Sequence, residues 1–185
     1  MLNPNWKGIS MSYTPQIAAL GAGLLALRLV VGLSMAAHGA QKLLGWFGGP
    51  GLTRTAEFFA ALGFRPARPL AAVASVTEIA SGLLMALGLL GPVGPALLIS
   101  VMLVAMMSVH WSNGFFAQQQ GIEINVLYVA SALALALTGP GVYSLDALFG
   151  LLALWSPTVM LAVLTMGVIG GVANLALRSA PAQAH

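Results

Sequence analysis

Five long apolar runs constrain the fold of this 185-residue chain more than any other feature of its sequence. A helix needs about 20 mostly apolar residues to cross the hydrocarbon core of a bilayer. The runs are close to this length or longer, and glycine and proline residues separate neighbouring runs, as at 91–95 and 139–141. The predicted spans are residues 17–46, 70–90, 93–111, 122–138 and 156–177.

The composition agrees with a membrane environment. Hydrophobic residues make up 59% of the chain and charged residues only 6%, whereas soluble domains have about 25% charged residues. The few bases are scattered and form no stripe that could follow a phosphate backbone, so no nucleic-acid partner is predicted. The chain has no cysteine, which excludes disulfides, thiolate metal sites and thiol nucleophiles.

These patterns predict an all-α, polytopic membrane protein. Residues 17–148 are expected to form a four-helix transmembrane bundle, and residues 149–177 an additional segment with a fifth transmembrane helix. Polar tails at 1–16 and 178–185 flank them. In this fifth segment, Gly167 and Gly171 form a GxxxG motif for close helix packing, either within the bundle or with another copy in a homo-oligomer.

The connection between the first two spans is predicted to contain a short helix. Thr53 is a candidate cap for its start and Gly63 for its end. Phe58, Phe59 and Leu62 would then share one face, which favours a helix lying in the membrane interface over a folded-back loop.

The distribution of bases predicts the orientation. With five spans, one side of the membrane carries Lys7, and the other carries Lys42, Arg54, Arg65, Arg68 and Arg178. Because cytoplasmic loops are enriched in lysine and arginine, we expect the N-terminus outside and the first loop and the C-terminus in the cytoplasm. The predicted location is the inner membrane of a bacterial or archaeal cell.

Polar groups within the spans are the candidate functional residues, because polar side chains in hydrocarbon are costly. His38 and Glu78 each lie about 12 Å inside the predicted cytoplasmic boundary, by the 1.5 Å rise of a helix. Arg28 lies nearer the outer face. Gln41 and Lys42 follow His38 at helical spacing on the same face. The predicted ligand-binding set is His38, Gln41, Lys42, Glu78, His110, Glu123 and Asn125.

Several chemical roles are open for this set. A proton- or quinone-linked pocket is the use most natural for histidine and glutamate near a membrane interface. Haem between His38 and His110, a divalent metal, and copper at Met102, Met106 and His110 are less favoured. The structural alternative is that these groups only bond helices together.

The sequence resembles the DoxX family over about residues 27–148. No single piece of the pattern is specific, but the combination is. The residues that carry the resemblance are Arg28 with Gly32, the run 38–43, the run 45–52, Thr55, Phe58, Phe59, Leu62, Gly63, Glu78 with Gly82, His110 with 113–116, Gly121, Glu123, Asn125, the run 137–141 and the run 144–146.

The resemblance implies a four-helix membrane bundle, so the fifth segment departs from the minimal core of the family. It also implies a redox-linked role, because the family is named after a subunit of a quinone-reducing sulfur-oxidation system. Similar proteins are linked to membrane-associated oxidoreductase complexes, so a redox partner protein is expected. The resemblance supplies no catalytic residues. The alternative function is a non-catalytic scaffold or a small-molecule carrier.

Overall fold

A computed structural model describes residues 6–179, with side chains described from Pro15 onward. The described residues form helices, and they contain no β-strand beyond an isolated bridge between Phe64 and Arg178. The predicted all-α fold is confirmed. The helices are α1 (Trp6–Leu44), α2 (Gly51–Ala61), α3 (Ala67–Leu87), α4 (Val93–Ala105), α5 (Glu123–Thr138), α6 (Leu145–Leu148) and α7 (Pro157–Ala176).

Four helical segments of the described chain are long and apolar enough to cross a membrane. They are Pro15–Leu44, Ala67–Leu87, Val93–Asn113 and Pro157–Ala176. The predicted C-terminal membrane helix is therefore among them, as α7. Large apolar side chains such as Leu33, Leu137 and Met166 are more than half exposed on the outside of the bundle. An apolar exterior of this kind is stable in lipid rather than in water.

Helix α5, predicted as the fourth span, is shorter than the others. Its 16 residues rise about 24 Å, against about 30 Å for the hydrocarbon core. Polar residues open it at Glu123, and Gly139 ends it with a positive φ of 76°. The helix nevertheless packs along α4 and contacts α1, so it is part of the bundle.

Close approach of α1 and α3 depends on small residues. A Cβ on Gly32 would lie 2.5 Å from the backbone oxygen of Gly82, and one on Gly39 would lie 2.5 Å from the oxygen of Ser75. Real Cβ atoms do not approach backbone oxygens this closely, so only glycine fits. The end of the bundle at which α1 finishes is called the Lys42 end here. The glycine contact brings the side chains of α1 and α3 at that end within reach of each other.

The GxxxG motif of α7 packs within the same chain. A Cβ on Gly167 would lie 2.5 Å from the backbone oxygen of Ala96, and one on Gly171 would lie 3.0 Å from that of Ser100. The sequence left open packing within the bundle or against another copy. In the structure both glycines pack against α4 of the same chain.

The predicted short helix after the first span is present as α2. Its predicted cap is wrong, because Pro50 precedes the first residue and no side chain caps the helix. The hydroxyl of Thr55 instead donates to the backbone oxygens of Gly51, at 2.8 Å, and Lys42, at 3.1 Å. Gly63 follows the end of the helix with a positive φ of 91°, a backbone conformation that favours glycine after a helix.

Arg28 stabilises the end of the bundle opposite the Lys42 end, and we call this the Arg28 end. Its side chain is 2% exposed. One guanidinium nitrogen donates to the backbone oxygen of Pro140 at 2.7 Å, and the other donates to that of Tyr143. The buried cation of α1 thus holds the loop that follows α5.

Asp146 holds the turn between α3 and α4. The backbone nitrogens of Leu90 and Gly91 donate to its two carboxylate oxygens at 2.8 and 2.6 Å, and the indole nitrogen of Trp155 donates at 2.7 Å. The Asp146 side chain is completely buried. Both buried ions at this end therefore have structural partners, although Nε of Arg28 has no hydrogen-bond partner among the described residues.

Candidate functional site

An ion pair between Lys42 of α1 and Glu78 of α3 lies at the centre of the candidate site. The ammonium of Lys42 donates to Oε1 of Glu78. The Glu78 side chain is 4% exposed and that of Lys42 is 35% exposed. The second oxygen of Glu78, Oε2, is buried and has no hydrogen-bond partner among the described residues. A buried carboxylate oxygen without a donor is unusual and costs free energy.

One cavity beside the ion pair, which we call the His38 cavity, has a volume of about 310 Å³. It brings together five residues of the predicted set from four different helical segments. Its lining is Met35, His38, Lys42, Glu78, Met102, Ala105, His110, Ala117, Gln120, Gly121, Ile124, Asn125 and Tyr128. A role of these residues in ligand binding stays a prediction.

His38 and His110 both line the His38 cavity. The ring of His38 lies edge-on to that of Tyr128, with the centroids 6.4 Å apart. Nδ1 of His110 lies 2.6 Å from the backbone oxygen of Gln120, a contact in which the nitrogen carries the proton and donates. His110 ends a π-helical turn at Met106–His110, a distortion that is frequent at functional sites.

Asn125 lies on the inner wall of this cavity. It is 5% exposed, and its amide nitrogen is 3.6 Å from the sulfur of Met102. Sulfur is a weak acceptor, so the donor capacity of this amide is only weakly used within the protein.

Gln41 and Glu123 do not line the His38 cavity, and they do not line the larger cavity described in the next paragraph. The backbone of Gln41 packs closely against Gly49. The carboxylate of Glu123 accepts a hydrogen bond of 2.8 Å from the backbone nitrogen of Ala117 and so fastens the loop before α5. The structure therefore separates these two residues from the other five.

A second cavity, which we call the α2 cavity, also borders the ion pair and has a volume of about 400 Å³. Lys42 and Glu78 belong to its wall as well as to that of the His38 cavity. The remaining lining comes from α2, α3, α4 and α7 and the segments that adjoin them: Pro50, Arg54, Thr55, Phe58, Phe59, Leu62, Phe64, Leu70, Val73, Ala74, Thr77, Ser100, Val101, Val104, Ala105, Ser108, Val109 and Asn174.

Two features of the site went unrecognised in the sequence. Tyr128 follows Asn125 by three residues, which places both on one face of a helix, so its spacing was a usable signal. Phe58, Phe59 and Leu62 were predicted to share a face, but that face was assigned to the membrane interface. In the structure these three side chains also close the α2 cavity.

The described residues contain no group of three or more histidine, aspartate or glutamate side chains placed to hold a metal ion. What the arrangement offers instead is a set of separate hydrogen-bonding groups around two cavities. His38, Lys42 and Asn125 supply donors, Tyr128 a hydroxyl, and Glu78 an acceptor without a partner.

The fold and the apolar exterior define the class: this is a small, all-α, multi-pass integral membrane protein whose environment is a lipid bilayer. Residues 23–111 match the DoxX family. This region, which runs from α1 to the end of the third membrane-crossing segment, is a DoxX domain, and the predicted family is confirmed. No curated protein and no solved structure matches the chain with significant similarity.

Proposed function

We propose that this protein is the membrane subunit of a redox-linked system and that its His38 cavity binds the ring of a quinone. The observation that carries the proposal is Glu78, which lines the cavity and whose buried Oε2 has no hydrogen-bond partner among the described residues. A quinol hydroxyl would supply that donor. The volume of about 310 Å³ is within the range of small-molecule sites.

The chemistry of a quinone suits the side chains around it. Its two ring oxygens accept hydrogen bonds, for which His38, Lys42 and Asn125 are donors. Reduction to the quinol adds two electrons and two protons. In the proposal, His38 and Glu78 exchange the protons, because imidazole and carboxyl groups can both donate and accept a proton. The chain contains no cysteine, and the two electrons come from a partner electron-transfer protein.

The proposed orientation places the Lys42 end of the bundle in the cytoplasm of a bacterial or archaeal cell. Lys42, Arg54, Arg65, Arg68 and Arg178 lie at that end, and the positive-inside rule favours the cytoplasm for it. The two cavities and the partner protein would then be on the cytoplasmic half of the inner membrane.

A scaffold or carrier function is the second candidate, and specific contacts favour it. Glu123 and His110 already bond to the loop before α5, and Lys42 bonds to Glu78. In this case the polar groups would serve to hold helices together, each contact contributing about 0.6–2 kcal/mol.

Thermal unfolding with quinones and quinols distinguishes the two functions. A ligand that binds only the folded protein stabilises it by about 2.7 kcal/mol at a hundredfold excess over its Kd. We expect a quinone or quinol to stabilise the wild type and Glu57→Gln, which changes a carboxyl on α2 outside both cavities. We expect no such stabilisation of His38→Ala or Glu78→Gln.

The contrary result is equally clear. If no quinone or quinol stabilises the wild type, while the His38 and Glu78 variants simply unfold at lower temperature, the groups hold helices together and the scaffold function is favoured. Equal stabilisation of Glu78→Gln and the wild type would remove Glu78 from the proposed site.

A further inference from the structure

The α2 cavity differs from the His38 cavity in the character of its wall. Phe58, Phe59 and Phe64 line it, together with aliphatic side chains of α3 and α4, and the rings of Phe59 and Phe64 lie 5.3 Å apart. Apolar atoms dominate this surface, so the energetically favourable occupant is an apolar chain or ring.

The position of this cavity is close to one end of the bundle. Its α3 residues run from Leu70 to Glu78, within about 5–17 Å of the start of that helix at Ala67 by the 1.5 Å rise. Helix α2 lies across the same end. The cavity therefore begins near the level of lipid headgroups and extends toward the hydrocarbon core.

Positive charge exceeds negative charge at the α2 cavity. Lys42 is neutralised by Glu78, but the exposed Arg54 has no carboxylate of the described residues within ion-pair distance. The chain's four acids are Glu57, Glu78, Glu123 and Asp146; all are described, and among the described residues the Lys42–Glu78 contact is the one ion pair. Arg65, Arg68 and Arg178 add positive charge at the same end.

An apolar cavity with an unneutralised guanidinium in its lining fits one class of molecule. We propose that the α2 cavity binds one acyl chain of an anionic phospholipid, with the phosphate of the headgroup against Arg54. Guanidinium groups bind phosphate through paired hydrogen bonds, and basic pockets at the ends of membrane helices bind anionic headgroups. The lipid site shares Lys42 and Glu78 with the proposed quinone site but lies in a different cavity, and it does not depend on quinone binding.

The test is native mass spectrometry of the whole protein in equal amounts of phosphatidylglycerol and phosphatidylcholine. The wild type is expected to retain phosphatidylglycerol over phosphatidylcholine by about fivefold, the ratio for one basic contact. Arg54→Gln is expected to abolish this preference. Arg65→Gln removes the same charge from the same end but outside the cavity, and is expected to keep the preference.

A second pair of variants tests the cavity itself. Val73 lines it and Val76 does not, yet both are on α3 and more than half exposed, so a tryptophan is tolerated at either position. We expect Val73→Trp to lower the amount of phosphatidylglycerol retained, and Val76→Trp to leave it at the wild-type amount.

Three results would overturn the lipid site. One is equal retention of the two lipids by the wild type. Another is a loss of preference in Arg65→Gln as large as in Arg54→Gln, which would mean diffuse attraction to the basic end. The third is unchanged retention in Val73→Trp. Since none of these readouts involves a quinone, they leave the proposed function to its own test.

Discussion

Asp146→Ala is expected to lower the free energy of unfolding by about 3–5 kcal/mol, because each of three donors left without its acceptor costs about 1–3 kcal/mol. The substitution leaves the backbone nitrogens of Leu90 and Gly91 and the indole nitrogen of Trp155 without their acceptor. The turn between α3 and α4 then loses its link to the segment that precedes α7.

Denaturant or thermal unfolding in detergent measures this effect. Glu57→Ala is the matched control, because it removes an exposed carboxylate and surface substitutions change stability by about 0.5 kcal/mol or less. Asp146→Asn keeps one acceptor oxygen and is expected to fall between the wild type and alanine. If Asp146→Ala and Glu57→Ala unfold alike, the carboxylate does not stabilise the Arg28 end.

The helices were predictable because a bilayer imposes a simple length requirement. Runs of about 20 apolar residues become spans, and glycine and proline mark their ends. The predicted bounds lie within a few residues of the observed helical segments, with the third segment taken to Asn113. The exception is the start of α1, which the structure places at Trp6 rather than at residue 17. The cap of α2 was less predictable. Pro50 starts the helix, and the hydroxyl of Thr55 bonds backward to α1, a contact that depends on the fold rather than on local sequence.

The candidate site was predictable to the extent that depth could be calculated. His38 and Glu78 were placed at equal depths from the helical rise, and both line the His38 cavity. The direction in which each side chain points around the helix axis was harder to predict. Successive residues of a helix differ by about 100°, so Gln41 and Lys42 cannot face one cavity equally, and the contact with α3 selects Lys42.

Long-range contacts were not predictable from the chain alone. Asp146 bonds to Leu90 across 56 positions, and the lining of the α2 cavity extends along the chain from Lys42 to Asn174. Sequence periodicity gives the inward face of each helix but not the gap that remains when several faces meet. The sequence therefore pointed to the polar groups at one end, but not to their division between two cavities.

Gly32→Val is expected to lower the free energy of unfolding by about 3 kcal/mol, at the upper end of the range for overpacking. A Cβ at this position would lie 2.5 Å from the backbone oxygen of Gly82 and 2.7 Å from the backbone nitrogen of Ala86. Backbone atoms cannot rotate away as a side chain can, so α1 and α3 must separate. Unfolding in detergent measures the loss against Gly23→Val, on the same helix, where a Cβ would meet nothing within 4 Å.

The same substitution tests whether helix packing sets the geometry of the ion pair. Lys42 and Glu78 meet because the small residues of α1 and α3 bring the two backbones together, so separating the helices must weaken the pair. A double-mutant cycle of Lys42→Met and Glu78→Gln gives the coupling energy between them. We expect a smaller coupling in the Gly32→Val background than in the Gly23→Val background. Equal coupling in both would mean that the ion pair forms independently of the glycine contact, and that the shared wall of the two cavities is held by other elements.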